Sequence, residues 1–305
     1  MTEGMMAMSE TLIASENPKG REILRNCGIG LDKAGLNEDG LQQVVHRAGE
    51  LQQGLTELVK RLSVSNQYAD EETASDYAYP PEYTGPKPIE EQVLALAEML
   101  DLDLAAAVKF TENLPALPEG AEGWFAIPSP VALAAKHFPD LTDPAEQNCA
   151  GINLILAKIA DSRSFYNYRE SQITPAQLRV AVRTADAMAQ ITKTQDASDI
   201  LIIAAQLGLR HRGKSVRRAR EVFVTDEFGL GSLIVGSITL MHPERFVRWE
   251  QLHIDCAGDE FNSGAGGEFG SAPYFSCDDG EVRFRTCWVG DTDACYGSAS
   301  GFLPQ

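Results

Sequence analysis

The sequence contains no apolar run long enough to cross a bilayer. Its most apolar stretches, 200–205 and 230–241, fall well short of the ~20 residues a membrane-spanning helix needs. The first twenty residues, MTEGMMAMSETLIASENPKG, lack the basic start and the apolar stretch of a secretory signal. Cysteine is sparse, six in 305 residues, and no two are spaced as a C-x2–4-C pair. This excludes a disulfide scaffold and leaves Cys256, Cys277, Cys287 and Cys295 as inert thiols rather than zinc ligands. Basic residues are few: 26 Lys and Arg stand against 44 Asp and Glu, for a formal charge of -18. That balance repels nucleic acid and anionic membranes at long range. A cytoplasmic location is expected, with no membrane partner.

Three stretches organise the chain. Residues 1–66 form an N-terminal arm. Its first 36 residues show no clear period, but Leu41, Val44, Ala48, Leu51, Leu55, Leu58 and Leu62 recur at alternating spacings of three and four. This predicts one amphipathic helix over 41–62, capped by Asn37, with a narrow coiled-coil seam. The seam needs a partner, either the body of the same chain or a second subunit. Residues 67–92 are acidic, Pro-bearing and rich in Tyr, the composition of a linker that does not order itself. Residues 93–305 form one globular domain.

Within that domain helical signals come first. Helical spacing covers 89–100 and 104–114, and Ser129-Pro130, Asp143-Pro144 and Thr174-Pro175 each place a cap before a first-turn proline. Residues 124–127 are a short strand candidate. Strand signals dominate later, at 199–204, at 251–256 and in a hairpin, 274–289, turning at Asp278-Asp279-Gly280. Residues 231–241 fit strand or helix equally. Helices first and strands later predict an α+β or α/β layer fold.

The most anomalous segment is basic. Arg210, Arg212, Lys214, Arg217, Arg218 and Arg220 fall within eleven residues, with His211 and Ser215 among them. Guanidinium forks match phosphate, and a helix opening at Ser215 would point free N–H groups at an anion. The run Gly208-Leu209-Arg210-His211-Arg212-Gly213-Lys214-Ser215 fits the G-x-x-x-x-G-K-[ST] phosphate loop, between a predicted strand and a predicted helix. In such a loop Lys214 would reach phosphate oxygens and Ser215 would hold Mg²⁺, with Asp255 as second acidic metal ligand. The bulky loop interior, and the 90 residues that remain after Ser215, argue against a complete nucleotide-binding sheet.

A second candidate site lies at a predicted strand end. His253 and Asp255 share one strand face, and Asp259 and Glu260 follow the turn at Ala257-Gly258. Four such groups together suit acid–base work or divalent metal binding. The Gly-rich stretch 262–270 reads as a loop beside them. Phe165 to Arg169 reads as aromatic packing at a helix–loop junction.

The runs Gly123-Trp-Phe-Ala-Ile-Pro128, Ala205 to Arg220, Glu227-Phe-Gly-Leu-Gly231, His242-Pro-Glu-Arg245, Ile254 to Glu260 and Gly297 to Phe302 resemble a group of uncharacterised bacterial proteins. The resemblance spans roughly 120–305 and brings no activity with it. It implies a cytoplasmic protein of bacterial type and transfers no site residue.

The leading expectation is a protein that binds a phosphate-bearing small molecule or nucleic acid through 210–220. One alternative is a metal-dependent hydrolase or phosphate-loop NTPase using Lys214, Ser215 and Asp255. Another is an assembly protein that forms homo-oligomers through 41–62.

Overall fold

The computed structural model describes residues 18–63, 66–264 and 268–304. The reading of the extreme N-terminus, and the middle of the Gly-rich stretch, lie outside these. The chain divides into two compact units, at residue 63.

The first unit is three helices, α1 (Pro18–Lys33), α2 (Glu38–His46) and α3 (Ala48–Ser63). The sequence reading missed α1 altogether. The single helix expected over 41–62 is two, α2 and α3. Asn37 does cap α2, accepting from the Gly40 N–H at 2.9 Å. The helix then breaks at Arg47, whose ψ of 31° departs from helical geometry and whose guanidinium clasps Glu50. Gly49, one residue into α3, weakens helix continuity at that point. None of the described side chains of this unit is buried.

The second unit is an α+β body. It opens with an extended strap, 66–88, then α4 (Ile89–Leu100) and α5 (Ala105–Thr111). β1 (Gly123–Pro128) follows, then α6 (Pro130–His137) and α7 (Pro144–Ser162), each starting where a capped proline predicts it. Next come β2 (Phe165–Asn167), β3 (Leu178–Val180) and α8 (Val182–Thr194). The helix expected at Pro175 is thus displaced: Thr174 accepts from Gln177 and Leu178 in a turn, and Leu178 pairs as a strand with Phe261. β4 (Ile200–Gln206) leads through a 3-10 turn into α9 (Val216–Val222), β5 (Glu227–Gly229) and α10 (Ser232–Met241). The chain ends in β6 (His253–Asp255), β7 (Asp259–Phe261), β8 (Ser271–Asp278), β9 (Glu281–Trp288), β10 (Tyr296–Ser298) and β11 (Ser300–Phe302). The β8–β9 turn forms where expected: Asp279 and Gly280 both take positive φ, 50° and 77°, the geometry of a primed hairpin turn.

Two sheets result. One has the order β1-β4-β11-β5, antiparallel throughout. In the other, β10-β6-β8-β7-β3 form the main path and β9 joins β8 to β2. The ambiguous stretch 231–241 is α10, a helix with all ten residues buried, packed against α7, α4, β1 and β8. A helix that is apolar all round belongs in the middle of a core.

The two sheets meet through glycine. A Cβ on Gly229 would lie 2.5 Å from the Ala257 carbonyl group and 2.7 Å from the Gly258 nitrogen. Gly229→Ala is therefore expected to destabilise the body by about 1–3 kcal/mol in urea unfolding. Gly264→Ala, with nothing within 4 Å of the added carbon, should stay within about 0.5 kcal/mol of wild type.

Candidate functional site

The basic segment is internally satisfied. Seven of the eight backbone N–H groups in 208–215 donate to acceptors of the protein itself, among them Gln206 Oε1, Tyr296 O and Glu71 O. They leave no cradle for a phosphate. β4 also lies between two antiparallel neighbours, unlike the parallel strands of a nucleotide-binding sheet. The phosphate-loop reading is corrected on both grounds.

The side chains are engaged as well, chiefly by the acidic strap. Glu71 accepts from Ser215 Oγ at 2.6 Å and from Arg217 Nε at 2.8 Å. Glu72 accepts from Arg218 Nε at 2.5 Å and lies 3.9 Å from Lys214 Nζ. Arg212 donates to Tyr77 O at 2.8 Å. Tyr79 donates to Glu122 at 2.5 Å, so the stretch 67–92 is laid along the body rather than left as a free linker. His211 and Arg210 turn inward to Glu227, at 2.7 and 3.3 Å, where Ser300 also donates. Burial lowers the His211 pKa although Glu227 opposes it. Burial pushes the Glu227 carboxyl up, but the hydrogen bond and charge of His211, the Ser300 hydrogen bond and the Arg210 charge together outweigh it and lower its pKa. Arg220 reaches the acidic strand end, donating to Ala257 O at 2.9 Å and Asp259 O at 2.6 Å.

The four residues expected at that strand end do not converge. Glu260 pairs with Arg179 at 2.7 Å and lies 3.7 Å from Arg220. His253 and Asp255 share the polar face of the second sheet, where the register aligns Ser298, Asp255, Tyr274 and Arg285 on neighbouring strands. The opposite face carries Ile254, Phe275 and Phe284, all in the core. The His253 ring lies 4.8 Å from Trp249 and 5.1 Å from Tyr296. Neither of its nitrogens has a hydrogen-bond partner among the described residues, nor do Asp255 Oδ1 and Ser298 Oγ. Burial lowers His253 to about 4 and raises Asp255 to about 7, with Asp293 adding to the rise and Arg220 opposing it. Among the described residues no group of three or more His, Cys, Asp and Glu is placed to hold a metal ion. Asp255 therefore lacks the companions of a Mg²⁺ ligand. The cysteines are free thiols, as expected.

Asp259 points the other way, to the N-terminus of α10. Its Oδ2 accepts the Ser232 N–H at 2.6 Å, because Gly231 at the cap position has no side chain to do so. Burial raises the Asp259 carboxyl to about 6 against hydrogen bonding from Ser232. Asp259 is also one of the residues that line a pocket of about 170 Å³. Its walls are Pro128, Pro130, Pro144, Val180, Met188, Leu233 and Ile234, with Asn148 and Thr184 as further polar residues. First-turn residues of α6, α7, α8 and α10 all contribute. Asp259 takes the Ser232 N–H, and Val235 is the first to make the helical bond back to the cap residue, Gly231 O, at 2.9 Å. The N–H groups of Leu233 and Ile234 are thus left without a partner among the described residues.

Sequence reasoning identified Asp259 but neither its helix nor its pocket. The signal present was the series of capped prolines, read only as helix starts. Comparison of the chain with family models, with curated proteins and with solved structures returns no match, so the geometry alone carries the functional argument.

Asp255 sets a pH test. A carboxyl raised to about 7 in the folded state favours folding while protonated and loses that contribution as pH rises from about 4 to 7. Asp255→Asn should track wild type at pH 4 and be more stable at pH 8 by roughly 4 kcal/mol. Chemical denaturation across that range reads the difference, and a gap independent of pH would refute the assignment.

Proposed function

We propose that the protein binds a small, uncharged, largely apolar molecule bearing a hydroxyl group, in the pocket at the start of α10. The observation that carries this reading is a mainly apolar pocket whose lining brings the buried Asp259 together with Leu233 and Ile234 of the first turn of α10. A hydroxyl answers both: it donates to Asp259, and its oxygen accepts from the first turn of α10. An ammonium group would face helix N-termini of like sign, and a carboxylate would face Asp259. A volume of about 170 Å³ is that of a cavity holding one six-membered ring, since ~150 Å³ accommodates benzene. The free, mostly buried thiols and the acid excess support a reducing, cytoplasmic setting. Among the described residues no helix is long and apolar enough to cross a membrane.

Phenol and cyclohexanol are the probes, with benzylamine and benzoate as charged counterparts. At ten times the dissociation constant a bound alcohol should stabilise the body by about 1.4 kcal/mol, a melting shift of roughly 3–5 °C. Met188→Trp fills the pocket and should abolish the shift. Asp259→Asn keeps a cap for Ser232 but replaces a charge-assisted hydrogen bond with a neutral one, which should weaken phenol about tenfold. Equal shifts in wild type and Met188→Trp, or stronger binding of benzoate, would remove the proposal.

A further inference from the structure

The N-terminal unit exposes twelve large apolar residues within 46 positions: Ile23, Leu24, Ile29, Leu31, Leu36, Leu41, Val45, Leu51, Leu55, Leu58, Val59 and Leu62. On α3 the leucines recur at i, i+4, i+7 and i+11 and make one stripe. Helices of nine and sixteen residues with no buried face are marginal alone in water. Their apolar faces require cover.

Two observations identify the cover. The exposed large apolar residues of the body are nine, and they are scattered: Leu94 and Met99 share α4, and Tyr166 and Tyr168 meet edge to face at 4.6 Å beside β2, while Leu117, Val131, Val182, Trp249 and Trp288 are far apart in the sequence. Among the described residues the body thus offers no stripe to match that of α3. Charge separates the units too. Residues 18–63 hold seven Lys and Arg against six Asp and Glu, whereas 64–305 hold 19 against 35. With Glu3, Glu10 and Glu16 the whole unit 1–63 holds seven against nine, so two copies of the body repel each other strongly and two copies of the helical unit hardly at all.

We infer that helices α1–α3 are a self-association surface whose partner is the same unit of a second copy of this chain. The break at Arg47 makes the contact a packing of short helices rather than one uninterrupted two-stranded coil. Because the bodies are of like charge, added salt should strengthen association by screening their repulsion. Contact held by ion pairs would weaken instead.

The experiment is sedimentation equilibrium of the full chain at about 0.05 and 0.5 M salt, where the Debye length falls from roughly 14 to 4 Å. Wild type should be dimeric or larger, with a dissociation constant that falls at the higher salt. Leu51→Gln with Leu55→Gln keeps helix propensity while removing the apolar stripe, and should weaken association at least tenfold. Gln53→Asp, on the opposite side of α3, should leave it unchanged. Leu41→Gln with Val45→Gln on α2 provides an independent test of the same surface. A monomeric wild type at both salts would overturn the inference and point to docking on the chain's own body. Association unaffected by both double substitutions, or weakened equally by Gln53→Asp, would overturn it as well.

Discussion

A helix that has no exposed residue cannot hand its first-turn N–H groups to water. In α10 that constraint shapes everything near it. An uncapped buried N–H costs about 1–3 kcal/mol, and the cap position is Gly231. The acceptor comes from elsewhere: Asp259, at the start of β7, reaches across to Ser232. For the carboxylate to arrive, the chain at Gly229 and Gly231 must pass close to Ala257 and Gly258, which only residues without a side chain permit. The apolar pocket forms at the same junction, since the first turns of four helices meet there and pack through proline. The cap and the candidate ligand group are one carboxyl.

The basic segment obeys a different rule. Exposed charges of one sign repel, and six cations within eleven residues need counter-charges. The strap provides them from within the chain, with Glu71 and Glu72 set against Arg217 and Arg218. It also carries Tyr79 over the fully buried Arg245, with the guanidinium 4.1 Å from the ring centre. The guanidinium also lies 5.1 Å from the Phe246 ring centre, contacts that favour a buried cation, and it donates to Leu207 O at 3.2 Å. What looked like two features, an acidic linker and a basic patch, is one electrostatic joint.

This joint marks the limit of what was legible beforehand. Features with local causes could be read: the hairpin at Asp279 and Gly280, the helices after Ser129 and Asp143, and the apolar strand β4. Features with distant causes could not. Arg217 and its partner Glu71 are 146 positions apart, and no local pattern announces such a pairing. Strands of three residues, such as β3, β7 and β10, are too short to display a period of two. α10 was undecidable because a helix buried on every side has no polar face to reveal its period. At the candidate site His253 and Asp255 were correctly placed on one face. Asp259 and Glu260 went elsewhere because the turn at Ala257-Gly258 starts a new strand, and one carboxyl was drawn to a helix end that the sequence had not shown to be a helix.

The position of β11 bears on how the body is made. Residues 300–302 lie between β4 and β5, at the centre of their sheet. During translation both flanking strands leave the ribosome first, and the strand that joins them follows about 70 residues later. At ordinary elongation rates that interval lasts roughly 4–14 s. Throughout it, one edge of the most apolar strand in the chain has no pairing partner. Such an edge presents a row of unpaired N–H and C=O groups, a template on which another chain can pair until residues 300–302 arrive.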